Sequence, residues 1–329
     1  MRRREFIMLL MGGTIATWPS IVCPQQAERI RRVAVLTPFT EEDGIERDDV
    51  VAFTQDFQGL GWEEGQNFHL EYRAAGRDAQ RLQSAAADLV RLKPEVILVM
   101  SSAALRAVLA NTDTIPIVFV GVTAPLGQGF VANLAHPGGN ITGFSVFAYS
   151  IGSKWLQLLK DVSPALRHVA LMFDRETTPG NWLPLIKSIA SVSGLEVNEA
   201  AVRDDNEIDG AIYKLKTPSN GGVIVLPSAF TMAHRQRIID FAARYRLPAV
   251  YWDSRFVKNG GLMSYASNLD EQVRHGAAYV DRILKGEKPG DLPVLETTKF
   301  DLAINLKTAK AIGLQMPPSL LRRADKIIE

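Results

Sequence analysis

Apolar positions along this chain gather into short, nearly unbroken runs, separated by stretches with helical spacing. Lys93–Thr123 shows the pattern best. Glu95–Met100 is rich in Val and Ile, Ser101 and Ser102 stop it, and Ala103–Ala110 has the composition of a helix. Asn111–Thr114 turns, and Ile115–Val120 is a second apolar run. Such runs predict strands covered on both faces. Two strands joined by a helix lie parallel with a right-handed crossover. Their carboxyl ends then share one edge, and open α/β sheets bind ligands outside that edge. Gly222–Asp253 repeats the pattern in other residues. Val223–Leu226 ends at Pro227-Ser228, a helix carries Ile238, Ile239, Phe241 and Ala242, and Ala249–Trp252 is the second strand. Two similar lobes are expected, with polar strand ends between them.

The remaining chain alternates in the same way. Strands are predicted at Arg32–Thr37, Phe68–Arg73, Ile141–Ser145, His168–Phe173, Leu195–Ala201, Leu262–Tyr265 and Lys299–Asn305. Helices are predicted at Asp48–Leu60, Asp78–Leu92, Ile151–Val162, Thr177–Ser193, Glu207–Lys216, Asp270–Lys285, Leu306–Ile312 and Leu320–Ile328. Pro289–Thr298 reads as an extended connection, and the first crossing between lobes is expected near Phe147. Strand–helix alternation of this kind predicts the α/β class, with parallel sheets flanked by helices.

Composition narrows the function. A length of 329 residues suits two domains, and a net charge of +1 gives no electrostatic footprint for nucleic acid. The one cysteine, Cys23, excludes an intramolecular disulfide and a cysteine-based metal cluster. Met1–Arg4 places three arginines before the short apolar stretch Phe6–Trp18, the form of an export signal of the twin-arginine or Sec kind. A soluble periplasmic product is expected ahead of one lipidated at Cys23, because Val22 is large for the position before a lipidated cysteine.

No catalytic set emerges. G-x-S-x-G, Walker and G-x-G-x-x-G motifs are absent, and the five histidines are scattered. The expectation is therefore a binding protein with no cofactor and no metal. Binding needs hydroxyls and helix-start N–H groups for an anion, an acid for a cation, and aromatic rings for an apolar body. Strand ends supply each of these. Thr37, Ser101, Ser102, Thr123 and Ser228 offer hydroxyls; Asp174 and Asp253 offer carboxylates; Tyr149, Trp252 and Tyr265 offer rings. Each has a plainer reading as a cap, a turn residue or core packing. Tyr251 and Trp252 point to opposite faces of a regular strand, so at most one of them faces the cleft.

A long ordered set of motifs resembles a known family. It includes L-G-W-x-E-G-Q-N at Leu60–Asn67, I-P-I-V-F-V at Ile115–Val120 and G-x-G-F-V-A-x-L-x-x-P-G-G-N-I-T-G at Gly127–Gly143. It continues with G-G-L-M-S-Y at Gly260–Tyr265, R-I-L-K-G-E-K-P-x-D-L-P-V at Arg282–Val294 and P-P-S-L-L-x-R-A-D at Pro317–Asp325. Together these resemble the ABC-transporter substrate-binding proteins of the tryptophan/tyrosine-binding type. The resemblance implies a type I periplasmic-binding-protein fold: two Rossmann-like lobes joined by three crossings, with the ligand in the cleft between them. It implies an export signal at 1–27, a first lobe at 28–147 plus 262–297, and a second at 148–261 plus 298–329. It further implies a monomer that delivers a small solute to an ABC permease and its ATPase, meeting the membrane only through that permease or a lipid anchor. A periplasmic sensor presenting the closed form to a receptor is the alternative. Ser101, Ser102, Thr123, Ser228, Trp252 and Tyr265 match the family's cleft positions. Many relatives carry aspartate where this chain has Ala124 and Ser228. Without those acids, an amino-acid ligand requires Asp174 or Asp253 to receive its ammonium; otherwise a neutral solute or an aromatic carboxylate fits better.

Overall fold

A computed structural model describes residues 30–40, 46–76, 78–146, 151–175, 178, 182–214 and 220–329. Residues 1–29, with Cys23 and the expected export signal, and Tyr149 lie outside the described residues.

The first lobe begins β1 (Arg31–Thr37), α1 (Glu46–Gly59), β2 (Phe68–Ala74), α2 (Ala79–Arg91), β3 (Val96–Met100), α3 (Ser102–Leu109), β4 (Ile117–Val122) and β5 (Ile141–Ser145). These strands are parallel and belong to a six-stranded sheet, whose remaining member is the short β11 (Leu295–Glu296) beside β5. Alternation along each strand sends residues to opposite faces. Val33, Val35, Leu98 and Val118 enter one buried cluster with Phe53 and Phe57 of α1. Ala34, Leu36, Ile97 and Phe119 enter the other with Leu82 and Leu89 of α2. Continuous burial on both faces is what an unbroken apolar run encodes. At Gly143 (φ +152°) β5 approaches β4 so closely that a Cβ would lie 2.1 Å from the Phe119 carbonyl oxygen.

The second lobe follows with α4 (Ile151–Val162), β6 (His168–Asp174), α5 (Trp182–Val192), β7 (Glu196–Val202), α6 (Asp205–Lys214), β8 (Gly221–Val225), α7 (Ala229–Ala233), α8 (Arg235–Arg244), β9 (Ala249–Tyr251), α9 (Ser254–Lys258) and β10 (Met263–Ser267). α10 (Leu269–Leu284) then packs on the first sheet, and β11 follows it. β12 (Phe300–Asn305), α11 (Leu306–Ala311), α12 (Pro318–Leu321) and β13 (Lys326–Ile328) end the chain. The second sheet has seven strands in the order β13-β12-β10-β9-β8-β6-β7. Its pairings are parallel except β10 with β12.

Three expectations change. Residues 262–297 do not all join the first lobe: Met263–Ser267 pairs antiparallel with β12, from Met263↔Ile304 to Ser267↔Phe300. The chain therefore crosses back only at Ser267–Leu269. Leu320–Ile328 is not one helix. The Leu302 N–H donates to Asp325 Oδ2 at 2.8 Å, and the Asp325 N–H donates to the Leu302 carbonyl at 2.9 Å. Those bonds pull Lys326–Ile328 onto the edge of the sheet, and edge pairing overrides a weak local helix preference. The single helix expected after Pro227-Ser228 is two pieces, α7 and α8, joined at His234.

Candidate functional site

Equivalent polar stops end the central strands of both lobes. Ser101 follows β3 and caps α3, its Oγ accepting from the Ala104 N–H at 3.1 Å. Ser228 follows β8 and caps α7, its Oγ accepting from the Thr231 N–H at 3.0 Å. The two stops face a common cavity between the lobes, with about 740 Å³ of unfilled space partly continuous with solvent. Ser101, Ser102 and Thr123 line it from the first lobe, and Ser228 and Trp252 from the second. Phe39, Met100, Val120 and Val146 make much of the remaining wall apolar.

Hydrogen bonds fix how these groups present themselves. Ser102 Oγ accepts from the Thr123 N–H at 3.4 Å and from Gln128 Nε2 at 3.1 Å. With both acceptor positions engaged, its own proton is the group available to a ligand oxygen. Gln128 also donates to the Thr123 carbonyl at 2.6 Å, tying the two strand ends together. Trp252 Nε1 donates to Thr231 Oγ1 at 3.1 Å, and Thr231 Oγ1 donates to the Leu226 carbonyl at 3.0 Å. The indole is thereby held in one orientation. Tyr251, its neighbour, is fully buried outside the cavity lining and stacks on Phe256 with ring centres 4.7 Å apart. Burial pushes the Tyr251 phenol above its ordinary pKa, with Asp240 adding to the shift.

The backbone at Ser101 is unusual. Its φ of 148° and ψ of 163° belong to a region occupied almost only by glycine. Strain of this kind persists where the surroundings over-determine a conformation. Here β3, the α3 cap and the cavity wall meet at one residue.

An ion pair crosses the cleft. Arg255, at the start of α9, lies 3.6 Å from Asp49 of α1, and both residues line the cavity. Asp253 does not line this cavity. It caps α9 by accepting from the Arg255 N–H at 2.8 Å, and its carboxylate accepts from Arg255 Nε at 3.0 Å and Nη2 at 2.9 Å. The cation it receives is the chain's own guanidinium, which it aims at Asp49.

The other expected residues lie elsewhere. Thr37 is buried, and its Oγ1 accepts from the Phe39 N–H at 3.3 Å, which supports the loop carrying Phe39 into the cavity. Asp174 lines a neighbouring acidic crevice with Asp78, Asp204 and Asp205. Tyr265 stacks on Phe300 with ring centres 5.5 Å apart and lies beneath Lys154, away from the cavity. Phe39, Asp49 and Arg255 were not singled out from sequence. Asp49 did carry a signal: it stands four and eight residues before Phe53 and Phe57, on the buried stripe of α1. A carboxylate in register with core aromatics is out of place unless it serves a partner.

Among the described residues no group of three or more His, Cys, Asp or Glu side chains is arranged to hold a metal ion. No described helix is long and apolar enough to cross a membrane.

Comparison with known proteins agrees with the two-lobed fold. A family model described as ABC transporter substrate binding protein matches residues 32–328. A tyrosine-binding protein from Clostridioides difficile is 24% identical over 265 residues, covering 80% of this chain and 76% of its own length. A conserved domain protein from Vibrio cholerae superposes with a TM-score of 0.84 at 24% identity, over 91% of this chain and 100% of its own. An ABC domain from Streptococcus pneumonia in complex with L-Trp gives 0.83 at 20% identity, over 91% and 100%. These solved structures share the two-lobed type I periplasmic-binding-protein fold.

Proposed function

The chain belongs to the ABC transporter substrate-binding protein family, and from that premise we propose that it is the exported solute-binding component of an ABC importer. It captures a small solute by hinge closure and hands it to a permease unchanged. One observation carries this reading: hydroxyls from both lobes, an indole, and the Asp49–Arg255 pair all line a single interlobe cavity. A ligand that touches both walls only when they are close shifts the population toward the closed form.

Asp49, in place of the expected Asp174 or Asp253, is the carboxylate that lines the cavity, and with it the lining favours an aromatic amino acid or a close analogue. Ser101, Ser102 and the start of α3 suit a carboxylate, Phe39 and Trp252 suit a ring, and Asp49 offers a carboxylate to an ammonium. Relatives that bind tyrosine or L-Trp support the same class. The leader fits delivery to the periplasm as a soluble product.

A thermal-shift screen over aromatic amino acids, aromatic acids and small amides tests this. A true ligand at one hundred times its Kd stabilises by about 2.7 kcal/mol. Ser102→Ala should weaken that ligand about tenfold, the worth of one hydrogen bond, while the ligand-free melting temperature falls by only a few degrees, because Ser102 Oγ also accepts from the Thr123 N–H and Gln128. A screen in which no member of these classes shifts the transition, or equal affinity in Ser102→Ala, would contradict the site.

A further inference from the structure

Asp49, Arg255 and Leu269 wall two spaces: the solute cavity, and a wider crevice bordered by Ser267, Asn268 and Lys299 at two of the crossings between lobes. Four cations enter this crevice from separate pieces of chain. They are Lys258 at the end of α9, Arg274 in α10, Lys299 in the last crossing and Lys326 at the start of β13. All four are exposed, and among the described residues none forms an ion pair or a side-chain hydrogen bond. Arg235 and Arg255 raise the cations in the wall to six, against four carboxylates. Three of those carboxylates are engaged: Asp253 and Asp49 hold Arg255, and Asp325 accepts from the Leu302 N–H. The 16-residue helix α10 opens on the same crevice at Asn268 and Leu269, with the Asn268 side chain capping it by accepting from the Glu271 N–H.

Cations gathered in excess of the carboxylates beside them raise the energy of the arrangement, and an anion among them lowers it. We propose that this crevice is a second binding site, for a small polyvalent oxyanion bearing phosphate or carboxylate groups. Arg274 belongs to the first lobe, whereas Lys258 and Lys326 belong to the second. An anion touching both lobes holds them in the relative placement seen here. Because the placement that gathers these cations also encloses the solute cavity, linkage makes the anion strengthen solute capture and the solute strengthen anion binding. The anion site itself does not depend on which solute is carried.

Calorimetric titration of the full chain with pyrophosphate, and separately with citrate, tests the site, with ionic strength fixed by sodium chloride. Saturable one-to-one binding of either anion is expected, and which of them binds identifies the phosphate or the carboxylate source. Arg274→Gln and Lys299→Gln should each weaken it about tenfold, as loss of a charge-assisted hydrogen bond does. Lys187→Gln removes a cation of α5 that is paired with Glu199, and should leave binding unchanged. Circular dichroism checks that each variant folds, with Lys326→Gln replacing one that does not. No saturable binding of either anion, or equal binding in wild type and the crevice variants, would overturn the proposal. So would a Lys187→Gln loss as large as theirs. None of these readouts involves the solute, so the outcome is separate from that of the transport reading.

Discussion

Asp253 shows how one side chain can be conspicuous in sequence and still act through another. Its two oxygens hold Arg255, and Arg255 reaches Asp49 across the cleft. Asp253→Asn keeps an oxygen for the cap at the Arg255 N–H but removes the charge that aims the guanidinium. Solute affinity should fall about tenfold in equilibrium titration, while the ligand-free melting temperature stays within a few degrees. Unchanged affinity would mean that Arg255 does not need Asp253 to reach the cavity. Tyr251 gives a second test, of the core behind the cavity. Its phenol is raised by burial, so the folded state favours the protonated form. That stabilisation is complete below the unfolded phenol's pKa of about 10 and is lost as pH climbs toward the folded value. Denaturant unfolding should show stability declining more steeply above pH 10 in wild type than in Tyr251→Phe; parallel declines would contradict it. The hydroxyls at Ser101, Ser102, Thr123 and Ser228 were legible because apolar runs locate strand ends. Asp49 and Arg255 were not, because their roles depend on a partner about two hundred residues away in the chain.

Among the elements, the junction of β3 and α3 combines a favourable cap with an unfavourable backbone. Ser101→Gly relieves a conformation that costs about 1–3 kcal/mol and gives up only a few tenths through the weaker cap. It should stabilise the chain by about 1 kcal/mol. Ser101→Ala keeps the strain and loses the cap, and should destabilise by about 1 kcal/mol. Thermal unfolding of the pair checks both signs; a Gly variant less stable than the Ala variant would contradict the strain. The central strands β1, β3 and β4 were readable because burial on both faces leaves a nearly continuous apolar run, β2 at the edge was read from its alternation, and β11 was read only as an extended connection. β13 was not readable. Its Lys326–Ile328 segment is held by bonds to Leu302, and a three-residue edge strand carries too little periodicity to compete with a helical reading.

The whole molecule is two sheets that share one cavity and are joined by three crossings. Near them, Gln272 of α10 donates to Thr297 Oγ1 at 2.6 Å and to the Ser145 carbonyl at 3.3 Å. It thus ties α10 to the ends of β5 and β11, beside the segments that must bend if the lobes part. The lobe count and the sharing of strand ends followed from the repeated strand–helix–strand pattern. The ownership of Met263–Ser267 did not, because alternation identifies a strand without naming its neighbour in the sheet. The most direct measurement of the central claim is the distance between the lobes. Spin labels at Gln80→Cys and Asn206→Cys, exposed positions beside the crevice that Asp78 and Asp205 line from opposite lobes, report it by pulsed electron resonance once Cys23 is replaced by serine. With the solute chosen by the thermal screen, the account predicts one short, narrow distance, and a longer mean distance when solute is removed. The same distribution with and without saturating solute would contradict capture by closure.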